Sequence, residues 1–154
     1  MVAQLIRFRP CEKRDLDRFA VFGTPQHVDY CCEEFTRGED ALTILVADED
    51  GAPVGKVHLD FETRAAEREA VLIAAAVVPE LRGRGIGRAL MRTAERLVRS
   101  RGYGAIVLGV EGSNPRACRL YECLGYGAFA KDEFKYLGAP VPNPGVWMRK
   151  RLEW

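Results

Sequence analysis

The sequence predicts a mixed α/β domain, with six or seven strands in one sheet and about four helices packed on it. Three observations carry that expectation. Strand-like apolar runs alternate with amphipathic helical stretches, and a glycine-rich turn joins one such strand directly to the clearest helix. The chain has 154 residues, 47% hydrophobic and 29% charged, the size and composition of a single ordinary globular domain spanning residues 1–154.

Leu5 to Phe8 reads as a short first strand, followed by a helical stretch from Cys11 to Phe22 with Leu16, Phe19 and Ala20 on one face. Thr24-Pro25 is N-cap chemistry with proline at the first helical position, opening a helix to Arg37. Val28, Cys31, Cys32 and Phe35 form its apolar stripe. Ala41 to Ala47 and Pro53 to Phe61 are two strands around the turn residues Asp48 to Gly51. Thr63 to Glu69 is charged and is expected to be solvated loop.

Ala70 to Val78 is continuously apolar, as expected of a strand covered on both faces. It is about half of the ~20 residues needed to cross a bilayer. Gly87 to Arg101 is a helix with Ile86, Leu90, Ala94, Leu97 and Val98 on its apolar face; Arg88, Arg92, Glu95, Arg96 and Arg99 are expected to face water. Ala105 to Val110 is a second buried strand. Ser113-Asn114-Pro115 then caps a helix that Gly125 stops near Leu124. Tyr126 to Ala130 and Val146 to Leu152 close the sheet, separated by the proline-rich segment Gly138 to Gly145.

Composition narrows the function classes. Lys and Arg number 23 against 22 Asp and Glu, so overall charge gives no reason to expect nucleic acid or an anionic membrane. Residues Met1 to Pro10 have no apolar core of signal-peptide length, which predicts a cytoplasmic protein. The five cysteines Cys11, Cys31, Cys32, Cys118 and Cys123 include no CxxC pair and argue for reduced thiols, with no metal site.

Two segments carry chemistry. Arg82-Gly83-Arg84-Gly85-Ile86-Gly87 follows a strand and opens a helix, so successive N–H groups converge near the positive end of a helix dipole. That geometry suits a pyrophosphate; the plain structural reading is a tight turn with surface arginines. No Gly-Lys-Ser/Thr is present, and the GxGxG spacing differs from the dinucleotide fingerprint GxGxxG. In the second segment Asn114, Ala117 and Tyr121 share one helix face. A tyrosine there can donate a proton to a thiolate, or can simply be a core ring with its hydroxyl at the rim.

Together these residues resemble the GNAT superfamily of acyl-CoA-dependent N-acetyltransferases. The resemblance rests on Val77-Val78-Pro79-Glu80-Leu81, then Arg82 to Gly87 matching Arg/Gln-x-x-Gly-x-Gly/Ala. It continues in order through Leu108-x-Val110, Asn114, Ala117, Leu120-Tyr121 and Gly125-Tyr126. It implies a splayed sheet in which backbone at Val77 and Val78 binds the pantetheine arm of acetyl-CoA. It further implies that N–H groups of Arg82, Gly83, Arg84, Gly85, Ile86, Gly87 and Arg88 hold the pyrophosphate. Asn114 would bond the pantetheine with Ala117 beside it, and Tyr121 would protonate the departing thiolate. A primary amine, from a small molecule or a protein, would attack the thioester directly.

The resemblance departs at one position. Many family members carry a glutamate six residues before the Val77 position as general base, and here that residue is Val71. Glu69, two residues earlier on the same strand face, and Glu111, after the next strand, are the carboxylate candidates. The alternative to an enzyme is a non-catalytic acyl-CoA-binding module. Nucleic-acid binding by Arg82, Arg84, Arg88 and Arg92 lacks an interleaved aromatic platform. The acceptor amine has no signature, and Trp154 with the apolar last strand leaves room for a homodimer.

Overall fold

Asp50 and Gly51 take φ values of 52° and 89°, and this left-handed pair turns β2 (Leu42–Glu49) back into β3 (Ala52–Asp60). A turn with both φ positive matches the right-handed twist of the strands it joins. The computed structural model describes residues 5–134 and 141–153. The remaining strands are β1 (Ile6–Pro10), β4 (Glu69–Val77), β5 (Ala105–Glu111), β6 (Gly127–Phe134) and β7 (Asn143–Arg151). All seven form one sheet, in the order β1-β2-β3-β4-β5-β7-β6. The helices are a 3-10 helix (Lys13–Phe22), α1 (Pro25–Phe35), α2 (Ile86–Ser100) and α3 (Pro115–Cys123).

Two cores sandwich the sheet. Leu90, Met91, Ala94 and Val98 of α2 pack on Leu45, Leu59, Leu72, Ile106, Leu108 and Met148. On the opposite face Phe19 of the 3-10 helix and Cys31 of α1 cover Ile44 and Val46. Truncating a residue as buried as Leu90 costs about 2–5 kcal/mol.

The feature that shapes the site is the junction of β4 with β5. These strands pair in parallel from Glu69↔Ala105 to Leu72↔Leu108 and then separate, although β4 runs on to Val77 and β5 to Glu111. The other strand pairs in the sheet are antiparallel. The domain is therefore splayed, as the resemblance implied.

Several local expectations need correction. The stretch from Cys11 is a 3-10 helix from Lys13, with Asp15 buried beneath it and bound to Arg9 at 2.7 and 2.9 Å. Thr63 to Glu69 contains a 3-10 turn at Ala65–Glu67 and ends in a buried glutamate, not a solvated one. Glu95 does not simply face water: it accepts from the Tyr126 hydroxyl at 3.0 Å and from Lys150 at 2.9 Å. β6 and β7 extend to Phe134↔Asn143, so the closing hairpin is longer than its apolar residues suggested. Of the proline-rich segment, Gly138 to Pro140 lie outside the described residues, as do Met1 to Gln4 and Trp154.

Candidate active site

The opening between β4 and β5 leads into a cavity of about 720 Å³. Its walls are the end of β4, the loop that follows, the first turns of α2, and one face of α3. Beyond Leu72 the β5-facing edge of β4 has no strand partner, although every extended strand edge carries N–H and C=O groups that require one. An extended ligand can complete such an edge as an added strand.

The loop is shaped by glycine. Gly83 and Gly85 have φ of 79° and 85°, and a Cβ on either would meet nothing within 4 Å. The glycines are therefore required by backbone conformation, and the space beside them is open. Gly85 caps α2 without a side chain, and Ala89 N–H is the first to bond back, to Gly85 O at 3.0 Å. The N–H groups of Ile86, Gly87 and Arg88 are left without intrahelical acceptors at the positive end of the helix. Arg88 and Arg116 add cationic side chains to the wall. The arrangement suits a polyanion held by backbone donors.

Asn114 caps α3, its Oδ1 accepting the Ala117 N–H at 3.2 Å. Its amide NH₂ remains a donor group at the cavity wall. One and two turns further along α3, Ala117 and Tyr121 line the same cavity. The Tyr121 ring meets Tyr126 edge to face at 5.9 Å between centroids. Tyr126 is itself fixed by its bond to Glu95, and burial together with that carboxylate raises the pKa of its hydroxyl. A hydroxyl-bearing ring is thus positioned by α2 through a buried neighbour.

Of the residues expected at the site, Val77, Arg82, Gly83, Gly85, Ile86, Gly87, Arg88, Asn114, Ala117 and Tyr121 meet at this cavity. Four do not. Val78 turns to the other side of β4, where its N–H donates to Val54 O at 2.9 Å. Arg84 is exposed and is not part of the wall. Arg82 stays, but with its N–H donated to Pro79 O at 3.3 Å; its Nε donates to Val77 O at 3.1 Å. Its contribution to the loop is therefore made by the side chain.

Neither carboxylate candidate reaches the cavity. Glu69 sits at the joined end of β4 and β5, eight residues before Val77, and is 5% exposed. Arg64 holds it at 2.8 Å, and Arg149 Nε approaches to 2.7 Å with a poorly aligned N–H, while Arg149 Nη2 makes the directed bond at 3.2 Å. Burial pushes this carboxyl up, but the two guanidiniums outweigh it and hold its pKa below the usual range. Glu111 ends β5 with its oxygens accepting from Ser113 and Asn143 at 3.0 and 3.2 Å.

The structure also brings to the site a residue that the pattern did not single out. Lys56 of β3 is fully buried and lines the cavity. Its signal was present: Lys56, His58 and Asp60 alternate with Val57 and Leu59, giving β3 one polar face. On the outer side of β5 the Phe134 ring lies across Gly109, where a Cβ would stand 2.5 Å from it. Among the described residues, no group of three His, Cys, Asp or Glu side chains is placed to hold a metal ion. No helix among them is long and apolar enough to cross a membrane.

Comparison with known proteins agrees with this geometry. The pattern of the acetyltransferase (GNAT) family matches residues 9–126. A mycothiol acetyltransferase of Propionibacterium freudenreichii subsp. shermanii is 36% identical over 87 residues, 56% of this chain and 23% of the relative. The chain thus spans about a quarter of that protein's length, and 19% of the similar enzyme of Rhodococcus opacus. Among solved structures, the ribosomal-protein-S18-alanine N-acetyltransferase of Escherichia coli superposes with a TM-score of 0.81 at 21% identity, covering 97% of this chain and 96% of that one. The spermidine N-acetyltransferase of Vibrio cholerae, solved with CoA and spermine, gives 0.76 at 22% identity, covering 96% and 95%. These likenesses show the same fold.

Proposed function

The chain belongs to the acetyltransferase (GNAT) family, and from that premise we propose that it transfers an acetyl group from acetyl-CoA to a primary amine by direct attack in a ternary complex. The observation that carries this reading is the cavity itself: an unpaired β4 edge, a helix N-terminus behind two left-handed glycines, and Tyr121 lie along one continuous wall.

Acetyl-CoA supplies an acyl group activated as a thioester. The chain's own residues do the rest. N–H groups of Gly83, Gly85, Ile86, Gly87 and Arg88, with the Arg88 and Arg116 side chains, hold the pyrophosphate. The free edge of β4 up to Val77 receives the pantetheine amides, and the Asn114 amide donates to them from the α3 side. Tyr121 donates its phenolic proton to the sulfur as negative charge develops there. No covalent acyl-enzyme is needed, because the amine itself is the nucleophile.

The test is an acceptor screen with purified protein: release of free CoA thiol from acetyl-CoA across small amines, amino-acid derivatives, aminoglycosides and peptides. Release that depends on an amine supports the proposal. Tight CoA binding with no release from any acceptor supports the non-catalytic module instead.

A further inference from the structure

Leu72 and Val77 of β4 both pack on the α2 core, although an odd number of steps separates them and a regular strand would turn them to opposite faces. The register with β3 shows where the phase changes. Lys56 faces Ala76 and His58 faces Ile73, so β4 carries one residue more than β3 between the two pairs. This is a β-bulge at Ala74 and Ala75, and Ala74 holds φ of 54°, an unfavourable conformation for a residue with a Cβ. The bulge begins just past Leu72, where β4 and β5 part.

Its phase decides which groups reach the gap. Val78 gives its N–H to Val54 O at 2.9 Å, so strand alternation turns the Val77 N–H to the other edge, the one without a β5 partner. With the bulge flattened, β4 would slip by one residue against β3, and that edge would present the groups of a neighbouring residue.

Lys56 holds the bulge in place. A bulged residue is left out of the ladder, and its carbonyl needs another donor. Lys56 Nζ supplies one, 2.8 Å from Ala74 O. The amine is buried and enclosed: His58 Nε2 lies 3.1 Å away, and the ring centroids of Phe19 and Phe22 stand at 5.9 and 5.7 Å. His58 is stacked on Tyr30 at 5.8 Å between centroids, with its Nδ1 3.8 Å from Glu34 Oε1. The 3-10 helix and α1 thus fix the lysine against the strained residue. Strained backbone persists only where its surroundings over-determine it, so without this donor Ala74 is free to relax.

We propose that Lys56 is a positioning residue of the acetyl-CoA site: its bond to Ala74 keeps β4 bulged, and the bulge turns the Val77 edge into the gap between β4 and β5. The proposal rests on the reading that acetyl-CoA lies along that edge. Lys56 touches no reacting atom and passes no proton.

The test is CoA affinity, read by calorimetry on folded protein with urea midpoints beside it. Lys56→Met keeps the stem and loses the donor; it should bind CoA about tenfold more weakly, the contribution of one or two directed hydrogen bonds. Adding Ala74→Gly to that variant should restore most of the affinity, because glycine takes φ of 54° without the Cβ penalty. In turnover, KM for acetyl-CoA should rise by the same factor with kcat nearly kept. A lysine that only stabilises the core gives a different pattern: a lower midpoint, unchanged CoA affinity and nothing to rescue. If Lys56→Met does not fold, Ala74→Val reads the same bulge with the lysine intact, since a β-branched residue resists that φ, and it should also lose about tenfold. Unchanged affinity in either folded single variant, a loss in Lys56→Met that Ala74→Gly does not restore, or a fall confined to kcat overturns the proposal. A wild-type chain that binds CoA but acetylates no amine contradicts the acetyl-transfer reading and leaves the proposal to be decided by the affinities. A wild-type chain that binds no CoA overturns both.

Discussion

Leu72 of β4 and Leu108 of β5 are the last facing pair before the two strands part. Both are almost fully buried against α2, so the closed end of the junction is fixed by core packing. The open end, Ile73 to Val77, is a strand edge with no β5 partner. The same strand therefore has a core-packed base and, directly beyond it, an edge without a strand partner.

The glycine loop separates affinity from stability. Gly85→Val should weaken CoA binding at least tenfold, because its Cβ enters the open space and a β-branched residue resists φ of 85°. The strain should also cost about 1–2 kcal/mol of stability. Gly87→Ala should differ in stability alone: its φ is ordinary and its Cβ would sit 3.9 Å from Val77 Cγ2. Stability should rise by up to about 1 kcal/mol while CoA affinity falls. Calorimetric titration beside denaturant unfolding reads both; unchanged CoA affinity in Gly85→Val would remove the pyrophosphate assignment.

Tyr121→Phe keeps the ring and its edge-to-face contact with Tyr126. CoA affinity should change little, whereas turnover should fall by about 10²–10⁴. Wild-type turnover in this variant at saturating acceptor would make Tyr121 a packing residue.

Glu69→Gln should leave turnover unchanged, since the carboxylate lies at the joined end of the strands and not in the cavity. Stability should fall by about 1–3 kcal/mol as Arg64 and Arg149 lose a charged acceptor. A variant that keeps its unfolding midpoint but loses activity would restore Glu69 as a base.

How much of this was legible in the sequence depended on the range of the interaction. Gly85, Asn114 and Tyr121 were readable because their roles are local: a left-handed turn, a cap three residues from its donor, a helix face. Where the Val78 N–H points was not readable, because Val54 O takes it through the register with β3. Glu69 is explained by Arg149, 80 positions away, which no local pattern contains. Lys56 was hidden for a related reason. Strand alternation showed that β3 has a polar face, but only the packing of α1 and the 3-10 helix decides that this face is buried.

Acid should destabilise the fold in two stages. Burial, against the pull of Glu34, lowers His58 to about 4, so the unfolded chain takes up a proton that the native state refuses. Stability then falls as pH drops from about 6.5 towards 4. For Glu34, contacts from His58, Arg37 and Tyr30 outweigh burial and hold its pKa at about 2. Its contribution is present above the ordinary carboxylate range and is lost as pH falls through its folded value. Urea midpoints of wild type and His58→Gln from pH 7 to 4 check this: the variant's slope should be shallower, and identical slopes would contradict the assignment.

The central claim is that an acetyl group passes directly from acetyl-CoA, bound between β4 and β5, to an amine. Its most direct test is to supply acetyl-CoA labelled with ¹³C in the acetyl group, together with an amine found in the screen, and to follow label and thiol by mass spectrometry. The account predicts label on the acceptor nitrogen, free CoA thiol in equal amount, and an unlabelled protein at every time point. Bound acetyl-CoA that releases no thiol, or label held on the chain and chased off by amine, would contradict it.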